Sequence, residues 1–461
     1  MKNEKTVHFV SLGCPKNLVD TEIMLGKLNL QGYRVVDSPD KAETVIVNTC
    51  GFIDDAKKES VDKILEFSDL KRAGSLKTLV VAGCLTQRYK DNLVNDLPEA
   101  DLFVGSGEFQ NIDKILEARK SGSKTKTYFN LPTYLQEDST PRINSQPKYR
   151  AYLKISEGCK KRCAFCAIPL IRGDLQSRKI ESVVSEAKLL VAGGVKELII
   201  ISHDFTDYGW DLNKKNPDET VTPYALLKAL SEKSGAEWIR VLYLYPDGVT
   251  KELIQLIKNS KNLVKYFDIP LQHINNQILK TMNRRMTREK IEEALDNIRN
   301  EIPDAVIRTQ FIVGYPGETE EQFEELLEFI RTQELDRVGC FKYSIEEGTK
   351  AGAMSEQVSE TIKEQRFQKV MSLQRKISRK KHKKYIGRRI EVLVEGYSDE
   401  TELLIRGRMS QQAPDIDGLV YINDGSPEIG SLVEVEITGS HDYDLVGKAI
   451  HNSSLPHINP M

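Results

Sequence analysis

The chain of 461 residues is 39% hydrophobic and 29% charged, enough apolar side chain for substantial cores and, at roughly 150 residues per domain, for about three of them. Lys and Arg number 66 against 68 Asp and Glu, a net charge of -2, so bulk charge does not draw it to nucleic acid and only a local basic face could. The opening MKNEKTVHFV turns apolar briefly and no stretch reaches the ~18 apolar residues of a membrane helix, which argues against a membrane partner and predicts a cytoplasmic protein with reduced cysteines.

In chain order, "TVHFVSLG", "AETVIVNTCGF" and "LKTLVVAGCLTQ" are apolar runs ending in small polar residues, and "DAKKESVDKILEFSDLKR" between them has apolar positions at helical spacing. Strand, turn and helix in repetition predict a parallel α/β layer over residues 1–125, with "ADLFVGSG" and "FQNIDKILEARK" as a further unit. Residues 126–148, rich in Ser, Thr and Pro, lose that periodicity and read as a linker.

Over 149–383 the rhythm returns in "AYLKISEGC", "VKELIIISHD", "WIRVLYLYP", "VKYFDIPLQH", "AVIRTQFIVGYPGE" and "RVGCFKYS". Six strands with helices such as "TEEQFEELLEFIRTQ" between them predict an open (β/α)6 partial TIM barrel, two units short of closure. The basic stretch "KEQRFQKVMSLQRKISRKKHKKYIG" ends it and reads as a solvated helix face. Residues 384–453 are short runs broken by Gly and Asp, the pattern of a small antiparallel β-barrel.

The chemistry sits with the cysteines. "KISEGCKKRCAFC" carries Cys159, Cys163 and Cys166 directly after a barrel strand, one short of a structural zinc set and odd for a disulfide framework. Three thiolates suit a 4Fe-4S cube whose fourth iron stays open; a zinc site completed by His is the rival, and no His lies close in sequence. Cys14, Cys50 and Cys84 each follow a predicted strand, so a parallel sheet brings their loops to one edge. There they hold a second cluster or are three ordinary half-buried cysteines. Cys340 reads as a strand residue.

Two other strand ends fit a cofactor. "FIVGYPGETEEQF" puts Gly314, Pro316 and Gly317 at a turn where backbone can approach a ligand, with Glu318 opening the next helix. "DIPLQHINNQ" ends a strand at Gln272 and His273, polar groups that need partners. A plain βα turn is the alternative for the first of these.

The C-x3-C-x2-C loop resembles the radical S-adenosylmethionine superfamily, and the whole chain resembles the methylthiotransferases within it. That resemblance implies that Cys159, Cys163 and Cys166 hold a 4Fe-4S cluster chelating S-adenosylmethionine, with Phe165 facing its adenosyl part. It also implies that Cys14, Cys50 and Cys84 hold an auxiliary 4Fe-4S cluster and that the C-terminal barrel is of the TRAM type. "SLGCPKNLVDTE", "ISEGCKKRCAFCAIP", "RGDLQSR", "ISHDFTDYG" and "RVLYLYPDGV", with Tyr243, Tyr245 and Pro246, look like the RimO-type branch.

That branch methylthiolates the β-carbon of an aspartate in the twelfth protein of the small ribosomal subunit, by radical hydrogen abstraction and methylthio transfer. The partners so implied are that basic ribosomal protein, free or on the subunit, an electron donor such as flavodoxin or ferredoxin, and a sulfur donor. The loops bearing Asp415, Asp417, Asp442 and Asp444, beside Arg406 and Arg408, suit a basic protein by charge. The rival functions are a tRNA adenosine methylthiotransferase and a non-catalytic iron-sulfur protein that binds RNA or the ribosome.

Overall fold

The chain opens with β1 (Thr6–Ser11), α1 (Pro15–Leu30), β2 (Arg34–Val35), β3 (Thr44–Thr49), α2 (Asp54–Arg72), β4 (Thr78–Gly83), α3 (Cys84–Asp96), β5 (Leu102–Gly105), α4 (Ile112–Lys120) and β6 (Thr127–Tyr128), of which β1, β3, β4 and β5 are the four predicted apolar runs and β2 and β6 are additions. In this computed structural model, residues 5–218 and 220–450 are described. The six strands form one parallel sheet in the order β2-β1-β3-β4-β5-β6. Helices cover both faces of such a sheet, which is why its strands read as continuous apolar runs: Val45, Ile46 and Val47 are all fully buried. α2 turns Ile64 and Phe67 onto Val45, Val47, Leu79, Val81 and Phe103. Burying each of these side chains stabilises the layer by about 1.5–3 kcal/mol.

The segment read as a linker begins as the edge strand β6, where Thr127 and Tyr128 pair with Phe103 and Val104. Further on it is pinned to α1: Arg142 meets Glu22 at 2.6 Å, and the Ser145 N–H donates to the same carboxylate at 2.8 Å.

Next come β7 (Arg150–Lys154), β8 (Ser156–Glu157), α5 (Ile168–Arg172), β9 (Gln176–Ser177), α6 (Ile180–Ala192), β10 (Glu197–Ile201), α7 (Trp210–Lys215) and α8 (Pro223–Lys233). β7 pairs in parallel with β10, and the short β8 and β9 pair antiparallel around α5. Then follow β11 (Trp238–Val241), α9 (Lys251–Asn259), β12 (Tyr266–Asp268), α10 (Asn276–Thr281), α11 (Arg288–Glu301), β13 (Val306–Val313), α12 (Glu320–Gln333), β14 (Arg337–Lys342) and α13 (Glu360–His382). β12, β13 and β14 run parallel side by side. These three and β7, β10 and β11 are the six strands that the sequence predicts for this region.

Two strand ends differ from the sequence reading. β12 stops at Asp268, ahead of Gln272 and His273, because Pro270 has no N–H to give a ladder; Gln272 rejoins β13 by a single bridge to Phe311. α12 starts after Glu318, since Thr319 caps it in a reciprocal capping box with Gln322. The basic α13 is solvated on one side only: Lys363, Arg366, Val370, Gln374 and His382 on the other are buried.

β15 (Arg389–Tyr397), β16 (Ile405–Met409), β17 (Val420–Asp424), β18 (Leu432–Ser440) and β19 (Leu445–Ala449) close a barrel in the order β15-β16-β17-β19-β18. Its inward residues, among them Val392, Val394, Ile422, Val435 and Ile437, alternate along the strands. One seam is parallel, β17 with β19, because β18 lies between β15 and β19 and β19 then returns in the direction of β17.

By its contacts the chain falls into two units, Met1–Ala236 with Leu279–Arg285 and Tyr343–Gln357, and Glu237–Ile278 with Met286–Lys342 and Val358–Met461. Among the described residues no helix is long and apolar enough to cross a membrane.

Candidate functional site

Both cysteine triads lie in the first unit. The strand order reverses between β1 and β3, the place where a parallel sheet opens a crevice at its carboxyl edge. Cys14 leaves β1 as the N-cap of α1, Cys50 follows β3, and Cys84 follows β4 as the first residue of α3. Gly13, in the left-handed region at φ 87°, lets the Cys14 loop lie on Cys50; a Cβ there would stand 2.6 Å from the Cys50 Cβ and 2.8 Å from its sulfur. Asn17 on α1 staples the loops, its amide donating to the carbonyls of Leu12 at 2.8 Å, Asn48 at 3.1 Å and Thr49 at 3.3 Å. Ser60 closes the Cys50 turn, accepting its N–H at 3.0 Å and donating to its carbonyl at 3.1 Å.

The second triad is built locally. The Cys159 N–H donates to the Gly173 carbonyl at 3.2 Å and the Cys166 N–H to the Cys163 carbonyl at 3.1 Å. Ala164 between them is clasped from two sides, donating to Met282 at 2.8 Å and accepting from Ala351 at 2.9 Å. A guanidinium nitrogen of Arg284 lies 3.9 Å from the Cys163 sulfur. Phe165 is half-buried beside Cys166.

Burial pushes the Cys84, Cys159 and Cys166 thiols up to about 12. A metal group taken up there therefore displaces protons. All six are free thiols, and the members of each triad act on one another electrostatically, a soft donor set that fits iron and sulfide. Among the described residues no three His, Cys, Asp or Glu side chains converge as ligands of a single ion. A cube takes each thiolate on a different iron and needs no such convergence.

Between the triads runs a buried ionic network that sequence reasoning missed. Arg172 donates to Asp20 at 2.6 Å, Lys154 reaches Asp20 at 2.5 Å and Glu157 at 3.0 Å, and Arg172 lies 3.5 Å from Glu157. All four side chains are at most 5% exposed, so the two cations need both carboxylates. Arg172 and its neighbours stood in the motif "RGDLQSR", but nothing local says that its partners lie on α1. Near Cys159, Asp204 and Asp207 both face Lys161, and burial and then the Asp207 charge raise the Asp204 carboxyl above the usual carboxylate range.

The other candidate residues lie in the second unit. His273 is fully buried; its Nδ1 accepts the Asn275 N–H at 3.0 Å, so Nε2 carries the proton and donates to Glu318 at 3.2 Å. Glu318 also accepts from Arg366 at 2.8 Å and from the Gly314 N–H. The turn Gly314–Pro316–Gly317 is thus braced from beneath. Gly314 has φ 71°, and a Cβ on it would meet Lys363 Cγ at 2.3 Å. Gln272 has φ 71° and Tyr243 φ 64°, left-handed backbone that costs of order 1–3 kcal/mol in a residue other than glycine and clusters at functional sites. No sequence signal marked that strain. Cys340 is a buried residue of β14.

The acidic C-terminal loops point less outward than their sequence suggests. Asp417 accepts from the Tyr266 hydroxyl at 2.7 Å and from the Ala413 N–H at 2.8 Å, with its side chain 2% exposed. Asp444 accepts from the Leu419 N–H at 2.8 Å, and Asp442 pairs with Arg379 at 3.2 Å. Asp415 is exposed. Arg408 is fully buried on Glu395, and Arg406 pairs with Asp399.

Residues 6–105 match the uncharacterized protein family UPF0004, residues 153–330 the radical SAM superfamily and residues 386–450 the TRAM domain. The chain is 65% identical to the ribosomal protein uS12 methylthiotransferase RimO of Bdellovibrio bacteriovorus, over 97% of this chain and 98% of that protein. It is 49% identical to the protein so named in Geobacter sulfurreducens, over 98% and 100%. Among solved structures, the radical S-adenosylmethionine methyltransferase TsrM from Kitasatospora setae, with cobalamin and a 4Fe-4S cluster bound, aligns with a TM-score of 0.54 at 15% identity. That alignment covers 76% of this chain and 77% of TsrM, a likeness of fold.

Proposed function

The chain belongs to the RimO family of ribosomal protein uS12 methylthiotransferases, and from that premise we propose that it replaces a hydrogen on the β-carbon of an aspartate of uS12 by a methylthio group. It is a radical S-adenosylmethionine enzyme that methylthiolates a ribosomal protein. The observation that carries the finer reading is the pair of cysteine triads in one compact unit, one built by a loop and one by a sheet edge.

In this reading Cys159, Cys163 and Cys166 hold one 4Fe-4S cluster and Cys14, Cys50 and Cys84 another. When bound, these groups supply the electron that opens the sulfonium of S-adenosylmethionine and the sulfur that takes up a methyl group. A β C–H next to a carboxylate has no acidic proton, so the chain needs no general base, and its buried carboxylates Asp20 and Glu157 serve Lys154 and Arg172 instead. The loops bury Cys84 and partly shield the other five cysteines. Phe165, in the first unit beside Cys166, borders S-adenosylmethionine in this reading; within the second unit Glu318, itself bonded to His273, holds the turn Gly314–Pro316–Gly317 through the Gly314 N–H.

The organisation that goes with this reading is a methylthiotransferase domain over 1–125, a connecting segment over 126–148, the radical core over 149–383 and the TRAM barrel over 384–453. Its partners are uS12, free or on the ribosomal subunit, an electron donor such as flavodoxin or ferredoxin, and a sulfur donor.

Intact mass measurement of uS12 from cells with and without the gene tests the substrate. The expected outcome is a mass higher by methylthio in place of hydrogen only when the gene is present. An unchanged uS12 beside loss of methylthioadenosine from tRNA would transfer the assignment to the tRNA enzymes.

A further inference from the structure

The two triads meet through one short helix. α5 packs Ala167 and Ile171 on Cys84. Its last residue, Arg172, directs two nitrogens at the Cys84 sulfur, Nε at 3.3 Å and Nη2 at 3.2 Å. The next residue, Gly173, accepts the N–H of Cys159 at 3.2 Å. One step of chain therefore touches both sites.

The guanidinium has no room to turn away. Nη1 donates to Asp20 at 2.6 Å, Nη2 to the Asn17 side-chain oxygen at 3.2 Å, and Arg172 is 1% exposed. Arginine keeps its charge at any working pH, so this is a fixed cation with two N–H groups on one sulfur. Hydrogen bonds to ligand sulfurs and nearby charge set the reduction potential of iron-sulfur groups, and a cation favours the more negative, reduced state.

We propose that Arg172 is a positioning residue that holds Cys84 in place against the Cys159 loop and raises the reduction potential of the iron-sulfur group on Cys14, Cys50 and Cys84. The inference rests on reading that triad as an iron-sulfur site.

The test uses the full chain with Cys159, Cys163 and Cys166 all replaced by Ala, reconstituted anaerobically with iron and sulfide, so that a redox titration followed by electron paramagnetic resonance reads the first triad alone. In that background Arg172→Gln should lower the ratio of reduced to oxidised group about tenfold at a fixed ambient potential, which is about 59 mV for a one-electron couple. Arg178→Gln, at an equally buried arginine paired with Glu186, should leave the titration in place. Retained iron with an unchanged titration in Arg172→Gln overturns the proposal. A parent protein that takes up no iron overturns the reading of the site itself. If Arg172→Gln fails to fold or to load, Arg172→Lys decides: one ammonium cannot serve Asp20 and both contacts on Cys84, so an unchanged potential there overturns the proposal as well.

Discussion

The two cysteine triads reach similar chemistry by opposite routes. Cys159, Cys163 and Cys166 are neighbours in the chain, and a loop clasped by Gly173, Met282 and Ala351 shapes them. Cys14, Cys50 and Cys84 are far apart in the chain and meet only because β1, β3 and β4 are parallel neighbours. The first arrangement depends on local geometry, whereas the second depends on the whole sheet, on Gly13 and on the Asn17 staple. Damage to the first should be confined to its own function, and damage to the second should spread into stability.

The largest effect tests the division of labour. Cys163→Ala should abolish release of 5'-deoxyadenosine from S-adenosylmethionine, while Cys50→Ala should keep much of that release and lose methylthio transfer. Chromatographic assay of both products reads the two outcomes separately. Equal loss of release in both variants, with the Cys159 loop site intact by spectroscopy, would erase the distinction.

Next in size is the network between the triads. Asp20→Asn leaves Lys154 and Arg172 buried against Glu157 alone and should cost about 3–5 kcal/mol. A denaturant titration followed by circular dichroism measures it; a loss well under 1 kcal/mol would mean that the network does not support the sheet edge.

The second unit supplies a contrast in which no cysteine site is involved. His382 is neutral there: its Nδ1–H donates to the Ser378 carbonyl at 2.8 Å and its Nε2 accepts from Arg337 at 2.9 Å. Burial, and then the Arg337 charge, lower it from 6.5 to about 4, so the unfolded chain takes up the proton first. Its contribution is complete above about pH 6.5 and is lost as pH falls to about 4, on the order of 3 kcal/mol in all. His382→Gln should flatten the fall in unfolding midpoint over that window. A slope equal to that of the unmodified chain would remove His382 as its cause.

The smallest effect is the most local. Gly13→Ala puts a Cβ against Cys50 in left-handed backbone and should cost about 1–3 kcal/mol. It should also lower iron uptake by the first triad without touching 5'-deoxyadenosine release. Full iron uptake would show that the Cys14 loop relaxes freely.

Much of this architecture is legible in the order of the residues. The alternating apolar runs and helical periods place β1, β3, β4 and β5 and all six barrel strands, and the spacing of Cys159, Cys163 and Cys166 marks their loop. Less is legible where tertiary partners outweigh local pattern. Thr127 and Tyr128 become a strand only because β5 offers an open edge. Asp417, Asp444 and Arg408 read as surface charge, yet Tyr266, Leu419 and Glu395 draw them inward. The basic α13 buries one side for the same reason.

Whatever spans a few residues is written into the chain: strand and helix order, the Thr319 and Gln322 capping box, the three-cysteine loop. Connectivity sets those distances, and no packing choice intervenes. Folding alone settles that Arg172 serves Cys84, that Asp20 serves Lys154, that Arg366 holds Glu318, and that Gln272 and Tyr243 carry strain. Each of these joins a side chain or a backbone angle to a neighbour that the fold delivers. A buried charge accepts whichever partner packing brings within reach, and sequence separation carries no record of that choice.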